Sequence, residues 1–189
     1  MDVFEALLTR RTIKDFTGEA VSREDLRKLL EVAIWAPNHR MTEPWRFAVV
    51  TREGIAGLQS AVLEGIRPDD PPKVHAKRAQ LEKRLPGLGA FISVHRCPVP
   101  GDEILDREDY AACCCAVQNI LVGARALGFA SYWSTARLFG REPVRRYLKI
   151  SPEQEIVASI WLGRAAREAT SRRTPVENVS RWIEGTGER

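Results

Sequence analysis

The sequence is poor in the features that announce common chemistries. Its four cysteines are Cys97 and the contiguous run Cys113, Cys114 and Cys115. Three adjacent thiols cannot supply the C-x2-C pairs of a zinc site, and in an apolar stretch they read as small core residues of a protein in a reducing compartment. No apolar run reaches the ~18 residues of a membrane span, and Met1-Asp2-Val3-Phe4-Glu5 lacks the basic and apolar regions of a secretion signal, so a cytoplasmic location is expected. There is no G-x-G-x-x-G, no P-loop, no H-E-x-x-H and no nucleophile elbow. Rossmann-type dinucleotide binding, metalloprotease chemistry and common hydrolase chemistry are therefore unsupported. Of the three histidines, His75 and His95 have no partners suggested by spacing and are expected to be structural or surface residues.

What is present fits one globular domain spanning residues 1–189, with 44% hydrophobic and 29% charged residues. The formal charge of +4 suits a small anionic ligand as readily as a polynucleotide. No groove-reading or RNA-stacking motif accompanies it, so neither nucleic acid nor membrane is an expected partner.

Hydrophobic spacing predicts a short helix over residues 2–9 and a second helix capped by Ser22 and ended by Pro37. A loop, 36–44, leads to a strand over 45–50. A helix is expected from Glu53 to about Gly65, a proline-rich mobile excursion or lid over 67–73, a polar helix around 74–85 and a strand over 90–94. Asp106 is expected to cap a helix reaching Leu127. Its stretch Ala111 to Val122 has only Gln118 and Asn119 as polar side chains, marking a buried pillar or a subunit interface. Gly128 should stop it, before strands at 129–133 and 156–162 with a helix at 142–148 between them. This order gives an α+β class, a mostly antiparallel central sheet flanked by helices. From about residue 164 the chain reads as an arm, with Val176, Val179, Trp182 and Ile183 at helical spacing and a twin subunit as the natural surface to lie on.

Three groupings can carry chemistry. Arg10-Arg11-Thr12-Ile13-Lys14 places three cations and a hydroxyl within five residues, which is either a solvated turn or a cradle for a phosphate and a ring. Asn38-His39 lies in a proline-bounded loop between Trp35 and Trp45, where an amide and an imidazole can satisfy a heteroaromatic edge, although each tryptophan alone is more simply core packing. Arg172-Arg173-Thr174-Pro175 is a charged linker or a second clamp on a dianion.

Taken in order, Arg10-x-Thr12-x-Lys14-x-Phe16, Ala36-Pro37 with Pro44-Trp45-x-Phe47, and Arg172-Arg173-x-Pro175-x-Glu177 resemble the nitroreductase family of flavin enzymes, especially its short members, from Asp2 to about Val179. The resemblance implies a homodimer with two FMN sites at the interface. It also implies ping-pong electron transfer from NADH or NADPH to a small nitroaromatic, quinone or similar conjugated acceptor. Arg10, Thr12 and Lys14, with Arg11 adjacent, would contact the phosphate, ribityl chain and ring. Asn38 and His39, with Trp35 nearby, would reach the flavin of the other subunit. Trp133-Ser134-Thr135 resembles the segment passing the reactive edge of the ring, and Arg172 and Arg173 the phosphate-binding arm. Trp35 stands where close short members carry Arg, and Glu43 where many carry Gln. No catalytic acid or base is assigned. A non-enzymatic FMN-binding or sensory protein on the same fold is the alternative.

Overall fold

A computed structural model describes residues 1–183; the last residues of the expected arm, 184–189, lie outside the described residues. Helix α1 (Val3–Thr9) is capped by Asp2, and α2 (Arg23–Ala33) by Ser22, whose hydroxyl accepts from the Asp25 amide at 3.0 Å. Helix α2 ends at Ala33, earlier than the proline that was expected to stop it. Four strands follow at intervals, β1 (Arg46–Thr51), β2 (Ala90–Arg96), β3 (Ala130–Ser134) and β4 (Glu155–Gly163), and they form one antiparallel sheet in the order β1-β2-β4-β3. Helices α3 (Ile55–Glu64), α4 (Pro72–Arg84) and α6 (Glu142–Leu148) share one side of the sheet, while α1, α2 and the long α5 (Glu103–Ala126) take the other.

Both faces of the central strands are buried, which the period-2 alternation of side chains makes explicit. Ala90, Ile92 and Val94 of β2 pack toward α5 with Ile160 and Leu162 of β4. Phe91 and Trp161 point the opposite way, into a second core with Ile55, Leu58 and Phe139. Between Val94 and His95 the partner residue jumps from Ala158 to Ile156, a bulge that leaves Val157 unpaired and turns it with Ala158 toward the α5 layer.

Three expectations are corrected. Helix α5 begins at Glu103 and is capped by Asp102, whose carboxylate accepts from the Leu105 amide at 3.0 Å, because Asp106 is engaged elsewhere. Its carboxylate accepts two bonds from Arg96, at 2.6 and 2.9 Å, and a third from the Val99 amide at 2.7 Å. The 67–73 segment is an ordered turn rather than a lid. Asp70 closes it on Arg67 and is gripped by Arg141, and Pro72 opens α4 at the first helical position, where the missing N–H costs nothing. The four cysteines are not uniformly core: Cys113 is buried, Cys114 half-buried, and Cys97 and Cys115 exposed.

Helix α5 is covered by its own chain on only part of its circumference. Ala111, Cys115, Gln118 and Ala126 form an exposed stripe of mostly small side chains. Beside it, α1 exposes Phe4 and Leu8, and the end of α2 exposes Ile34 and Trp35. The arm forms only a short turn at Val176–Asn178 instead of a helix, and Val176, Val179, Trp182 and Ile183 are all exposed. An amphipathic segment with nothing beneath its apolar face gains no packing to stabilise a helix.

The Arg96 side chain is buried and depends on Asp106 and Glu155. Arg96 holds the Asp106 carboxyl down to about 2 from its ordinary 3.8. A depressed folded-state value means this contribution is complete above about pH 3.8 and is lost as pH falls toward about 2. Asp106→Ala is expected to lower stability by about 1–2 kcal/mol at neutral pH and to flatten the loss of stability across that acid window, as read by urea unfolding at several pH values.

Candidate functional site

After α1 the chain runs beside the free edge of β3. The Ile13 amide donates to the Ser131 carbonyl at 3.1 Å, Thr12 bridges Ser131 in parallel, and Phe16 bridges Ala165. Ile13 and Phe16 are buried in the second core, while Thr12 and Lys14 remain exposed on the extended segment. Further bonds, Thr17 N–H to Arg164 and Ala166 N–H to Asp15, tie the root of the arm to the same segment. Asp15 also accepts from Arg84 at 3.2 Å and Arg167 at 2.6 Å, and these cations lower its proton affinity against the opposing effect of burial.

The front and rear basic motifs therefore meet. Arg10, Arg11, Thr12, Ala169, Thr170, Ser171 and Arg173 line a cavity of about 130 Å³, three arginines and three hydroxyl-bearing residues with no Asp or Glu among the described lining residues. The Arg10 guanidinium has its pKa lowered first by burial and then by the charges of Arg173 and Arg11. Like charges held this close favour an anion between them. Arg172 does not line this cavity; its carbonyl accepts from Arg173 at 2.9 Å.

Lys14 lies farther along the strip, over the Tyr132 ring at 5.1 Å from its centroid. It borders a second cavity of about 280 Å³ with Ser134, Lys77, Gln80, Tyr132 and Trp161. The Ser134 hydroxyl accepts from the Ala136 amide at 3.2 Å, shaping the turn that exposes Thr135. Trp133 alternates to the opposite face and packs against the α5 layer. Lys77 and Gln80 escaped sequence reading because a polar helix gives no signal of which residues overhang a cavity.

Trp35, Asn38 and His39 occupy a different place and line neither of these cavities. Trp35 is 85% exposed at the rim of an apolar groove with Val3, Val32, Val122 and Gly123. Asn38 accepts the Glu43 amide at 3.1 Å through its side-chain oxygen, and His39 Nδ1 lies 2.7 Å from a Glu108 carboxylate oxygen. The other end of α5 supports the basic strip, where Arg125 donates to the Thr9 hydroxyl at 2.9 Å. Seventeen residues of helix separate Glu108 from Arg125, on the order of 25 Å at 1.5 Å per residue. Within one chain the two groups are farther apart than a single flavin ring can span.

An antiparallel sheet between two helical layers, with a small basic cavity at one strand edge, defines an α+β protein. The sequence profile of the nitroreductase family matches residues 7–164, and the chain belongs to that family. YfhC of Bacillus subtilis, named as a candidate NAD(P)H nitroreductase, is 26% identical over 176 residues, covering 92% of this chain and 90% of YfhC. The crystal structure of a nitroreductase-like family protein from Bacillus cereus superposes with a TM-score of 0.85 at 28% identity, covering 98% of this chain and 97% of that one. NfnB from Sphigopyxis, described as an FMN- and NADPH-dependent nitroreductase, shares the fold with a TM-score of 0.77 at 20% identity, covering 97% of this chain and 100% of NfnB. Among the described residues no helix is long and apolar enough to cross a membrane.

The electrostatics of the basic cavity give a direct expectation. At low ionic strength inorganic phosphate should raise the Tm of the cofactor-free protein by a few degrees, because an anion that binds only the folded state stabilises it by mass action. The double variant Arg10→Ala/Arg173→Ala should lose most of that rise in a thermal-shift assay.

Proposed function

We propose that the protein is an FMN-dependent oxidoreductase that passes electrons from NADH or NADPH to a small conjugated acceptor such as a nitroaromatic or a quinone, as a homodimer with two sites. The observation that carries this reading is the cavity lined by three arginines and three hydroxyl-bearing residues, with no acidic residue among the described lining residues. Its chemistry fits a phosphate monoester dianion, and farther along the same strip a second cavity is lined by Lys14, Lys77 and Arg84 with the aromatic residues Tyr132, Phe139 and Trp161. Arg10, Arg11, Thr12 and Arg173 would hold the phosphate, with Arg172 adjacent. Lys14 would face the ring, joined by Ser134, Thr135 and the passing backbone at Trp133.

When bound, FMN supplies the two-electron chemistry, accepting hydride from the nicotinamide and passing electrons to the acceptor. The side chains bind, orient and keep water out. The Lys14 ammonium favours negative charge on its side of the ring, an attraction on the order of 4 kcal/mol at ~4 Å and an effective dielectric of ~20, before desolvation. No side chain is assigned as a proton donor.

The separation along α5 and the apolar surface left open support the homodimer of this reading. Two α5 helices crossing antiparallel through the stripe of Ala111, Cys115, Gln118 and Ala126 would bring the Glu108 end of one chain to the Arg125 end of the other. Trp35, Asn38 and His39 would then complete the partner's site, and the exposed arm would gain a surface to pack on.

The purified protein is expected to be yellow, with one FMN per chain and the mass of a dimer, and NADH or NADPH should bleach it within seconds under anaerobic conditions. Bleaching over hours would instead identify a flavin-binding protein without this activity. Arg10→Ala should raise the FMN Kd about tenfold to a hundredfold, the range expected for one charge-assisted contact. Lys14→Ala should lower the two-electron potential of bound FMN, and an unchanged potential would remove Lys14 from the reaction.

A further inference from the structure

The loop between α2 and β1 is held in an unfavourable backbone conformation. Arg40, Met41 and Glu43 have φ values of 54°, 52° and 43°, and none of them is glycine. Left-handed backbone costs a residue with a Cβ on the order of 1–2 kcal/mol, so three such residues within four positions persist only where surrounding contacts fix them.

The Asn38 side-chain oxygen accepts the Glu43 amide at 3.1 Å, and Arg46 donates to the Glu43 carbonyl at 3.0 Å, which closes the loop on itself. Two further bonds cross to another element. The Thr42 hydroxyl donates to Asp109 at 2.6 Å, and His39 Nδ1 sits 2.7 Å from Glu108. Both carboxylates are consecutive residues of α5, some seventy positions away in sequence, and Asp109 is buried. The pair grips the loop at two points, one on each side of the residues with positive φ at Arg40 and Met41.

We infer that Glu108 is a positioning residue for ligand binding: it orients the His39 imidazole, while Asp109 anchors the strained loop through Thr42, so that His39 presents its Nε2 outward as a hydrogen-bond acceptor. An ionised carboxylate only accepts, so the proton of the neutral imidazole is drawn to Nδ1 and the lone pair is left on Nε2. The imidazole remains largely exposed and therefore free to meet a ligand. The complementary group is an N–H or O–H donor, and a flavin offers both, on its pyrimidine edge and along its ribityl chain. The inference rests on the flavin reading above and extends it to a residue outside the basic strip.

The test is FMN fluorescence titration of the cofactor-free protein in the wild type, Glu108→Ala, Glu108→Gln, His39→Ala and the double variant Glu108→Ala/His39→Ala. Each alanine variant should raise the Kd about tenfold. The double variant should bind no more weakly than His39→Ala alone, because Glu108 acts through the imidazole. Glu108→Gln, which can still accept from Nδ1–H through its amide oxygen, should recover most of the affinity. Nitrogen-detected NMR of the cofactor-free protein should show His39 protonated at Nδ1 in the wild type and a tautomer mixture in Glu108→Ala, a readout that needs no flavin.

Additive losses in the double variant, an unchanged Kd in Glu108→Ala or His39→Ala, or an unchanged His39 tautomer would each overturn the inference while leaving the flavin reading standing. A wild-type protein that binds no FMN would overturn both. A thermal melt of Glu108→Ala within a few degrees of the wild type shows that the variant is folded; if it is not, the Glu108→Gln and His39→Ala titrations and the tautomer of the wild type decide the matter.

Discussion

Two buried side chains, Ile13 beside β3 and Phe16 beside Ala165 at the root of the arm, fasten a positively charged strip to the sheet, and the geometry of the candidate site depends on that attachment. Without it, Arg10, Arg11, Thr12 and Lys14 would belong to a solvated turn, where cations repel and disperse. The apolar anchors and the Ile13–Ser131 backbone bond instead keep the strip extended and in register. The arm, tied to the same strip through Thr17 and Ala166, then adds Arg173 to a cavity already lined by Arg10 and Arg11. Hydrophobic burial therefore holds the cations together against their own repulsion, and the Arg10 pKa is lowered first by its burial and then by the charges of Arg173 and Arg11.

The long helix α5 gives the second constraint. One end supports the basic strip through Arg125 and Thr9, and the other holds the His39 loop through Glu108 and Asp109. A rigid rod keeps these groups apart in one chain while exposing a stripe of small residues along its length. In the proposed dimer a second copy crossing that stripe would remove the separation. In this reading the same helix builds the core, divides the site and provides the surface on which the halves are joined.

How much of this could be read from the residues differs by element. The sheet was plain, because β2 and β4 are short apolar runs and a buried strand needs little else to be recognised. The Ser22 cap, the stop at Gly128 and the strip near Arg10 were equally local signals. The start of α5 was misread because Asp102 and Asp106 are both reasonable caps, and only the demand of buried Arg96 for a carboxylate shows which one is free. The turn at 67–73 reads as a lid in sequence because its prolines and aspartates resemble a flexible segment, and the distant Arg141 that grips it carries no sequence mark. The arm has helical spacing but no helix, since periodicity states what a segment could bury and says nothing about whether a surface is there.

The sequence by itself determined the class of fold, the order of its elements and the identity of the charged groups, because those rest on local periodicity, turn chemistry and residue type. Tertiary structure decided which charges meet. It brought Arg10 and Arg173 to one cavity, placed Lys77 and Gln80 over another, and set Glu108 against His39. These neighbours lie far apart along the chain. Contacts of that kind depend on how the layers pack, a property of the folded chain as a whole that no local stretch of residues contains.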